Sequence, residues 1–163
     1  MKSLRMAFAV LIAFFTIAAF AQSNSHAAFE KLKSLEGNWA GKGSEGQSLT
    51  VTFRVTSAGS AIMSEIQGPE NMISMFHLDG DRLMLTHYCA TGNQPRMVGT
   101  LSPDGKSVTF NFLDATNVLS SQPGHMERVV VTVLDPNHHT EEWSFLAKDG
   151  SMHHETFDVQ RQK

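Results

Sequence analysis

The chain has 163 residues, a formal net charge of −3 and a single cysteine. That length suits one domain with a core of its own, and the slight negative charge excludes the broad attraction to nucleic acid that a basic chain would have. One cysteine cannot form an intramolecular disulfide, so packing alone must hold the fold.

The first 21 residues have the pattern of a secretory signal peptide. Lys2 and Arg5 provide a positive start, residues 6–20 are an apolar run, and Ala19-Phe20-Ala21 has the small-x-small form of a cleavage site. The run is shorter than the roughly 20 residues that a membrane-spanning helix needs. We therefore expect a secreted or periplasmic protein, cleaved after residue 21 or after Ala27, with no membrane insertion afterwards.

A leader and then a short helix are predicted next along the chain. Residues 22–28 are expected to form a flexible leader. From Phe29 to Leu35, apolar residues recur at i, i+3 and i+6, which predicts one or two turns of amphipathic helix ended by Gly37. The remaining domain, 29–163, then changes to an apolar period of two, as residues 49–56 illustrate.

Ten segments of this kind, separated by short turn signals, predict strands. No helical segment is long enough for a βαβ crossover, so the strands form an antiparallel meander, and closure into an up-and-down barrel removes its exposed edges. The predicted fold is all-β: an antiparallel up-and-down barrel of about ten strands with a short N-terminal helix. The predicted strands cover residues 38–45, 49–56, 61–67, 71–78, 82–90, 96–102, 107–113, 127–134, 140–147 and 152–161.

Three Asp-Gly pairs, at 79–80, 104–105 and 149–150, favour tight hairpins and allow the faces of the sheet to be sorted. The hairpin at 79–80 is predicted to place Ser74 opposite Leu85 and Met72 opposite His87, all facing inward. At 149–150 the predicted pairs are Trp143 with Thr156 on one face and Ser144 with Glu155 on the other; neither face is cleanly apolar, so the inward face stays open there. The hairpin at 104–105 gives a wholly apolar face with three predicted pairs: Leu101–Val108, Gly99–Phe110 and Met97–Phe112.

The stretch "LEGNWAGKG", from Leu35 to Gly43, resembles the opening of the calycin superfamily, which includes lipocalins, fatty-acid-binding proteins and nitrobindin-like barrels. In those proteins a short helix leads into a Gly-x-Trp strand, and Trp39 occupies the matching position. The resemblance implies that Trp39 closes one barrel end and stacks on a basic residue of the last strand, for which Arg161 is the candidate. The stretch from Phe76 to Cys89 is also similar to exported bacterial proteins.

The tail "WSFLAKDGSMHHETFDVQR" resembles the end of nitrobindin-like barrels, where a histidine of the last strand ligates a haem iron from inside the barrel. His154 lies at about the matching place. The resemblance therefore implies a haem cofactor held by His154, as a metal-binding alternative to a simple ligand-binding barrel.

His87 and Cys89 lie two residues apart on a predicted strand and face inward together, whereas Tyr88 faces outward. Such a pair is a partial metal chelate, an activated thiolate, or packed core with one ligand contact. A zinc site needs three or four protein ligands, and a cysteine nucleophile needs a further orienting group; the sequence identifies neither. We expect Cys89 to pack and His87 to be the better ligand contact.

The remaining polar candidates surround this strand. Ser74 and Glu65 are expected to face the interior, while Asn93 and Arg96 predict a polar rim that would meet an anionic group at a cavity mouth. The favoured hypothesis is an exported barrel that binds a small apolar or amphipathic molecule. The alternatives are a haem or metal barrel using His154 or His87, an enzyme with His87 as general base, and a non-catalytic envelope module with a filled barrel.

Overall fold

A computed structural model describes residues 24–119 and 121–163. A helix, α1 (24–33), precedes ten antiparallel strands, and each strand pairs with its neighbours in sequence until β10 returns to β1 and closes the barrel. The predicted fold class is confirmed. The strands are β1 Gly37–Gly43, β2 Ser48–Thr56, β3 Ala61–Gln67, β4 Met72–Asp79, β5 Arg82–Tyr88, β6 Gln94–Leu101, β7 Ser107–Thr116, β8 Gly124–Asp135, β9 His138–Ala147 and β10 Met152–Arg161.

Helix α1 starts at residue 24, five residues earlier than the sequence pattern predicts. The expected flexible leader is therefore wrong for residues 24–28, because this first turn packs against the barrel. Ala28 is fully buried, and the Ser25 hydroxyl donates a hydrogen bond to the backbone carbonyl of Asp81 in the β4–β5 turn. The predicted signal peptide and residues 22 and 23 lie outside the described residues.

The helix covers one end of the barrel, which we call the closed end. Phe29, Leu32 and Leu35 are buried there at successive helical turns, in contact with the strand core. The turns β2–β3, β4–β5, β6–β7 and β8–β9 lie at this end, since consecutive antiparallel strands reverse direction. The other five turns lie at what we call the open end. No helix among the described residues is long and apolar enough to cross a membrane.

Alternating side chains from all ten strands fill the closed half of the interior. Phe76 is central there, with ring centroids 6.4 Å from Phe53 and 5.4 Å from Phe110. Each fully buried side chain of this size stabilises the fold by about 1.5–3 kcal/mol. Gly41 belongs to the closure of the barrel, because a Cβ at this position would collide with the backbone of Asp158 and Val159 on β10.

The three hairpins differ in how well the sequence predicts their register. The 104–105 hairpin has the predicted pairs. At 79–80 the predicted pairs are wrong by two residues: the turn is Gly80-Asp81, closed by the Asp79–Arg82 pair, and Ser74 lies opposite His87. A shift of two keeps the same residues inside, because side chains alternate with a period of two.

At 149–150 the predicted register is wrong by one residue. The residues of β10 that share a face with Trp143 are therefore different from the predicted ones. The loop has three residues between Ala147 and Ser151, with Gly150 at a φ of +88°, a form that hairpins use when the last loop residue is left-handed. His154 therefore pairs with Ser144 on the outer face, and Glu155 pairs with Trp143 on the inner face.

Candidate functional site

At the closed end, the Arg161 guanidinium stacks on the ring of Trp39. The Trp39 ring is fully buried and its Nε1–H donates to the Leu35 carbonyl at 2.8 Å. The Arg161 guanidinium lies 4.2 Å above that ring and donates to the carbonyl oxygens of Ser34, Glu36 and Pro136 at 2.9, 2.6 and 2.8 Å. One side chain thus ties the end of α1 to the β8–β9 turn, so this end is sealed.

The open end contains a cavity of about 400 Å³. Hairpin residues of β1–β2 and β3–β4 form its mouth, and side chains that point inward from six different strands form its wall and floor. Its apolar lining consists of Leu49, Ile66, Met72, Met126, Trp143 and Phe157, with Gly68 and Pro69 at the turn. Its polar lining consists of Glu45, Gln47, Glu70 and Glu155.

The position of Glu155 in this mouth is fixed by hydrogen bonds. Its Oε1 accepts from the Ser44 backbone N–H at 2.8 Å and from Gln47 Nε2 at 2.9 Å. Gln47 Oε1 is buried and makes no hydrogen bond within the described part of the chain. The mouth thus presents oxygen acceptors, and no lysine, arginine or histidine is among the described residues that line the cavity.

A buried polar bridge on β9 connects the cavity floor with the closed end. The Glu141 carboxyl group is 1% exposed; Trp143 Nε1–H donates to its Oε2 at 3.1 Å, and its Oε1 is 3.2 Å from His139 Nε2. The His139 ring in turn lies edge-on to Trp39, at 4.3 Å between centroids. A carboxyl group in an apolar interior is costly to bury unless both oxygens are satisfied, and both are satisfied here.

His87 lies behind the cavity wall rather than on it. Its ring is fully buried with its centroid 4.8 Å from that of Trp143, and its Nδ1 is 3.0 Å from the Ser74 hydroxyl oxygen. Its Nε2 is buried and has no hydrogen-bond partner among the described residues. Burial lowers the pKa of His87 to about 4, so the imidazole is neutral at pH 7.

The structure places three further predicted residues inside the barrel. Ser74 is buried beside His87. Cys89 is a free, buried cysteine within the hydrophobic core. Asn93 is fully buried and its Nδ2 donates to the Gly124 carbonyl at 2.7 Å, so it joins the β5–β6 turn to the start of β8 rather than lining the cavity mouth.

Three predicted site residues lie on the outer face, where they cannot serve the interior. Glu65 alternates with the buried Ser64 and accepts a hydrogen bond from Gln67 Nε2 at 3.0 Å, so the expected inward position is wrong. Arg96 is exposed and paired with Asp114, its Nε 2.6 Å from Oδ1, so it does not meet a ligand at the mouth.

His154 also points outward, with its Nδ1 3.1 Å from the Ser144 hydroxyl oxygen. The implied haem ligand inside the barrel is therefore wrong for this residue, because the three-residue β9–β10 turn moves it to the opposite face. No three His, Cys, Asp or Glu side chains of residues 24–119 and 121–163 are grouped so that they could hold a metal ion.

The sequence reasoning missed most of the cavity. The predicted register at the last hairpin, one residue off, mixes polar and apolar residues on both faces, so the inward positions of Trp143, Phe157 and Glu155 stay undecided in the sequence. The alternation His139-x-Glu141-x-Trp143 puts two ionisable side chains on the inner face of β9, so the sequence gives no signal that this face is buried.

No protein-family model matches the sequence, and a search of curated proteins gives no match. Among solved structures, the chain is similar to Rv2717c from M. tuberculosis, with a TM-score of 0.61 at 15% identity over 83% of this chain and 98% of that one.

Two other solved structures are similar over about four fifths of this chain. One is a protein with unknown function from the DUF3598 family of Nostoc punctiforme, with a TM-score of 0.55 at 12% identity over 81% of this chain and 49% of that one. The other, EF1p2_mFAP2b bound to DFHBI, has a TM-score of 0.36 at 11% identity over 80% of this chain and 95% of that one. The identities of 15% and 12% for the two better superpositions mean that the likeness concerns the fold alone.

Proposed function

We propose that this barrel binds a small apolar or amphipathic molecule in the cavity at its open end. The observation that carries the proposal is the cavity of about 400 Å³ with an apolar wall above a filled closed half. Small-molecule sites are typically concave, mostly apolar and roughly 300–1,000 Å³ in volume. Apolar ligand surface buried against this wall would contribute about 25 cal/mol per Å².

The charge of the mouth selects among such molecules. Glu45, Glu70 and Glu155 carry the formal charges of the lining, and all three are acidic. A ligand with an anionic head group would bring like charges together, whereas a neutral or cationic head group would not. The ligand class we propose is therefore a neutral or cationic amphiphile, in place of the anionic group that Arg96 was expected to meet.

We also propose that the chain is an exported member of the calycin superfamily. The ten-strand barrel, the helix before β1 and the stacking of Arg161 on Trp39 support the superfamily. The signal-peptide pattern of the first 21 residues supports export. Mass measurement of the protein from a periplasmic extract should give a chain that starts at residue 22 or 28; a chain that keeps Lys2 would contradict export.

The ligand class is tested with three probes of equal chain length and different head group: decanol, decylammonium and decanoate. Isothermal titration of the purified protein should show binding of decanol and decylammonium, with decanoate weaker than decylammonium. The preference should shrink as the salt concentration rises, since Glu45 and Glu70 at the mouth are exposed. Preferential binding of decanoate would overturn the assignment of the head group.

The location of the site is tested with a matched pair of substitutions on β4. Met72→Trp adds volume inside the cavity, whereas Ile73→Trp adds the same side chain on the outer face, where Ile73 is 37% exposed. We expect Met72→Trp to weaken binding at least about tenfold, equivalent to about 1.4 kcal/mol, and Ile73→Trp to leave it unchanged. Unaltered binding in a folded Met72→Trp variant would exclude the cavity, and absence of binding by all three probes would refute the proposed function.

A further inference from the structure

The outer face of β3, β4 and β5 carries three methionines and a histidine that neither the core nor the cavity uses. Met63 on β3 lies opposite Met75 on β4, and His77 on β4 lies opposite Met84 on β5. Met75 and His77 are two residues apart on one strand, so they share a face. We call these four residues the methionine–histidine cluster.

The register places all four side chains around one point of the surface. Residues directly opposite in an antiparallel pair have Cβ atoms about 4.5–5.5 Å apart, and diagonal neighbours about 7–8 Å apart. Methionine and histidine are long enough to reach across those separations. Met63 and Met84 are two strands apart, about 10 Å, and flank Met75 and His77 of the middle strand from opposite sides. An ion above the middle strand would therefore be within reach of three thioether sulfurs and one imidazole nitrogen.

The burial of the cluster suits an uncharged sulfur site. Met84 points away from the barrel interior and is nevertheless only 7% exposed, and Met63 and Met75 are half-buried. His77 is exposed at the edge. The thioethers thus have little water around them, while the imidazole leaves a route of approach from solvent.

We propose that the methionine–histidine cluster binds a soft monovalent metal ion, Cu(I) or Ag(I), through the sulfur atoms of Met63, Met75 and Met84 and the imidazole of His77. Thioether ligands select Cu(I) over harder ions, and imidazole also suits copper. The direct cross-strand neighbours beyond the cluster are Arg54, Ala61, Thr86 and Val98, and none of them offers a carboxylate to a hard cation.

One neighbouring charge opposes the metal. Arg54 lies opposite Met63, and its Nη2 is 3.9 Å from the Met63 sulfur. Its side chain is exposed, so it can turn toward solvent when an ion binds. Removing this charge with Arg54→Gln should therefore tighten metal binding, because a cation beside the site disfavours a second cation.

The direct test is a titration with Ag(I), which is redox-inert, in chloride-free buffer, followed by NMR of protein labelled at the methionine methyl groups. The signals of Met63, Met75 and Met84 should shift together and saturate at one equivalent, while that of Met152, which is 42% exposed on β10, should not. A shift of the Met152 signal equal to those of the three cluster methionines, or no shift of any signal, would overturn the proposal.

Substitutions separate the cluster from other soft ligands of the chain. Met75→Leu keeps the side-chain volume and should weaken Ag(I) binding at least about tenfold, whereas Met152→Leu, its outer-face control, should not change it. Because Cys89 is a free thiol, the titration is repeated in a Cys89→Ala background. Binding that vanishes with Cys89, or that survives Met75→Leu unchanged in folded protein, would refute the site.

Discussion

The closed and open ends of this barrel use the same kind of residue for different purposes. At the closed end, Trp39 is covered by Arg161 and by α1, and it has no exposed surface. At the open end, Trp143 is 4% exposed and forms part of the cavity wall. One tryptophan completes a sealed core and the other borders a cavity, so the most tightly packed core and the proposed binding site lie at opposite ends of one sheet.

The two ends are nevertheless connected through β9. Glu141 links the indole N–H of Trp143 to His139, whose ring contacts Trp39. The buried carboxyl group therefore fixes the orientation of the cavity wall from the sealed half of the barrel. A fixed wall would lower the ordering cost of the proposed binding, because the cavity is largely formed without a ligand.

The largest expected effect is the loss of stability at the closed end. Trp39→Ala should lower the free energy of unfolding by about 3–5 kcal/mol, because it empties a sealed site that cannot relax. Met126→Ala, at the cavity wall, should lower it by only about 1 kcal/mol, since that side chain already borders space. Urea denaturation of both variants measures the contrast.

Equal losses in the two variants would show that the ends are not energetically different. Ligand binding provides the converse readout. Met126→Ala changes the shape of the cavity and should alter the affinity for decanol. A milder variant, Trp39→Phe, keeps an aromatic ring at the closed end and should leave that affinity unchanged.

The second effect is a pH dependence that arises beneath the cavity wall. His87 has a pKa of about 4 in the folded protein because of burial, and its ordinary value is 6.5. As the pH falls from 6.5 to 4, the unfolded chain takes up a proton that the folded protein refuses, so stability declines by roughly 3 kcal/mol. Above pH 6.5 this residue contributes no further change.

His87→Gln retains a partner for Ser74 and removes the titrating group. Denaturation at pH 7, 5.5 and 4.5 should therefore give a shallower loss of stability in His87→Gln than in the unaltered protein. The other histidines are present in both proteins and cancel in this difference. The same decline in both would contradict a neutral His87 in the folded state.

The fold was predictable from sequence because apolar alternation and Asp-Gly turns are local signals. They define strands such as β2 and the β6–β7 hairpin without reference to distant residues. The cavity was not predictable in this way. Its lining comes from six strands, and which residues of β9 and β10 face inward depends on whether the loop before Ser151 has two residues or three.

That single loop residue accounts for the wrong position of His154 and for the omission of Glu155 from the predicted site. With two residues, His154 could be inside and Glu155 outside; with three, the positions are exchanged. The inner face of β9 could not correct the register, since it combines Glu141 and His139 with Trp143. A buried carboxyl group is satisfied by contacts that the sequence does not display. The prediction that Arg96 meets a ligand is wrong for a related reason: Arg96 pairs with Asp114 on another strand, a contact that the sequence does not display.

A third, smaller effect separates packing from hydrogen bonding at the closed end. Arg161→Gln should cost about 2 kcal/mol, because it leaves carbonyl oxygens at the end of α1 without their charged donor and removes the contact with the Trp39 ring. Arg161→Lys should recover only part of this, since an ammonium group cannot reproduce the planar fork of donors. Thermal and urea denaturation of both variants provide the measurement, and a Lys variant as stable as the unaltered protein would contradict the role of the fork.

The smallest effect concerns the surface pair that the sequence placed at the cavity mouth. The side chains of Arg96 and Asp114 are 49% and 46% exposed. The hydrogen-bonded Arg96 guanidinium lowers the pKa of Asp114, but solvent screens an exposed pair of this kind, so it contributes little to stability. Arg96→Ala should therefore leave stability nearly unchanged.

The same variant tests how sharply binding is confined to the open-end cavity. Arg96 is on the outer face of β6 and does not line the cavity, so the affinities for decanol, decylammonium and decanoate should be the same in Arg96→Ala and in the unaltered protein. If decanoate alone weakened, Arg96 would be the anion-binding residue that the sequence suggested, and the glutamates at the mouth would not determine the choice of head group. Titration of the three probes against this variant thus distinguishes the two sources of charge selectivity directly.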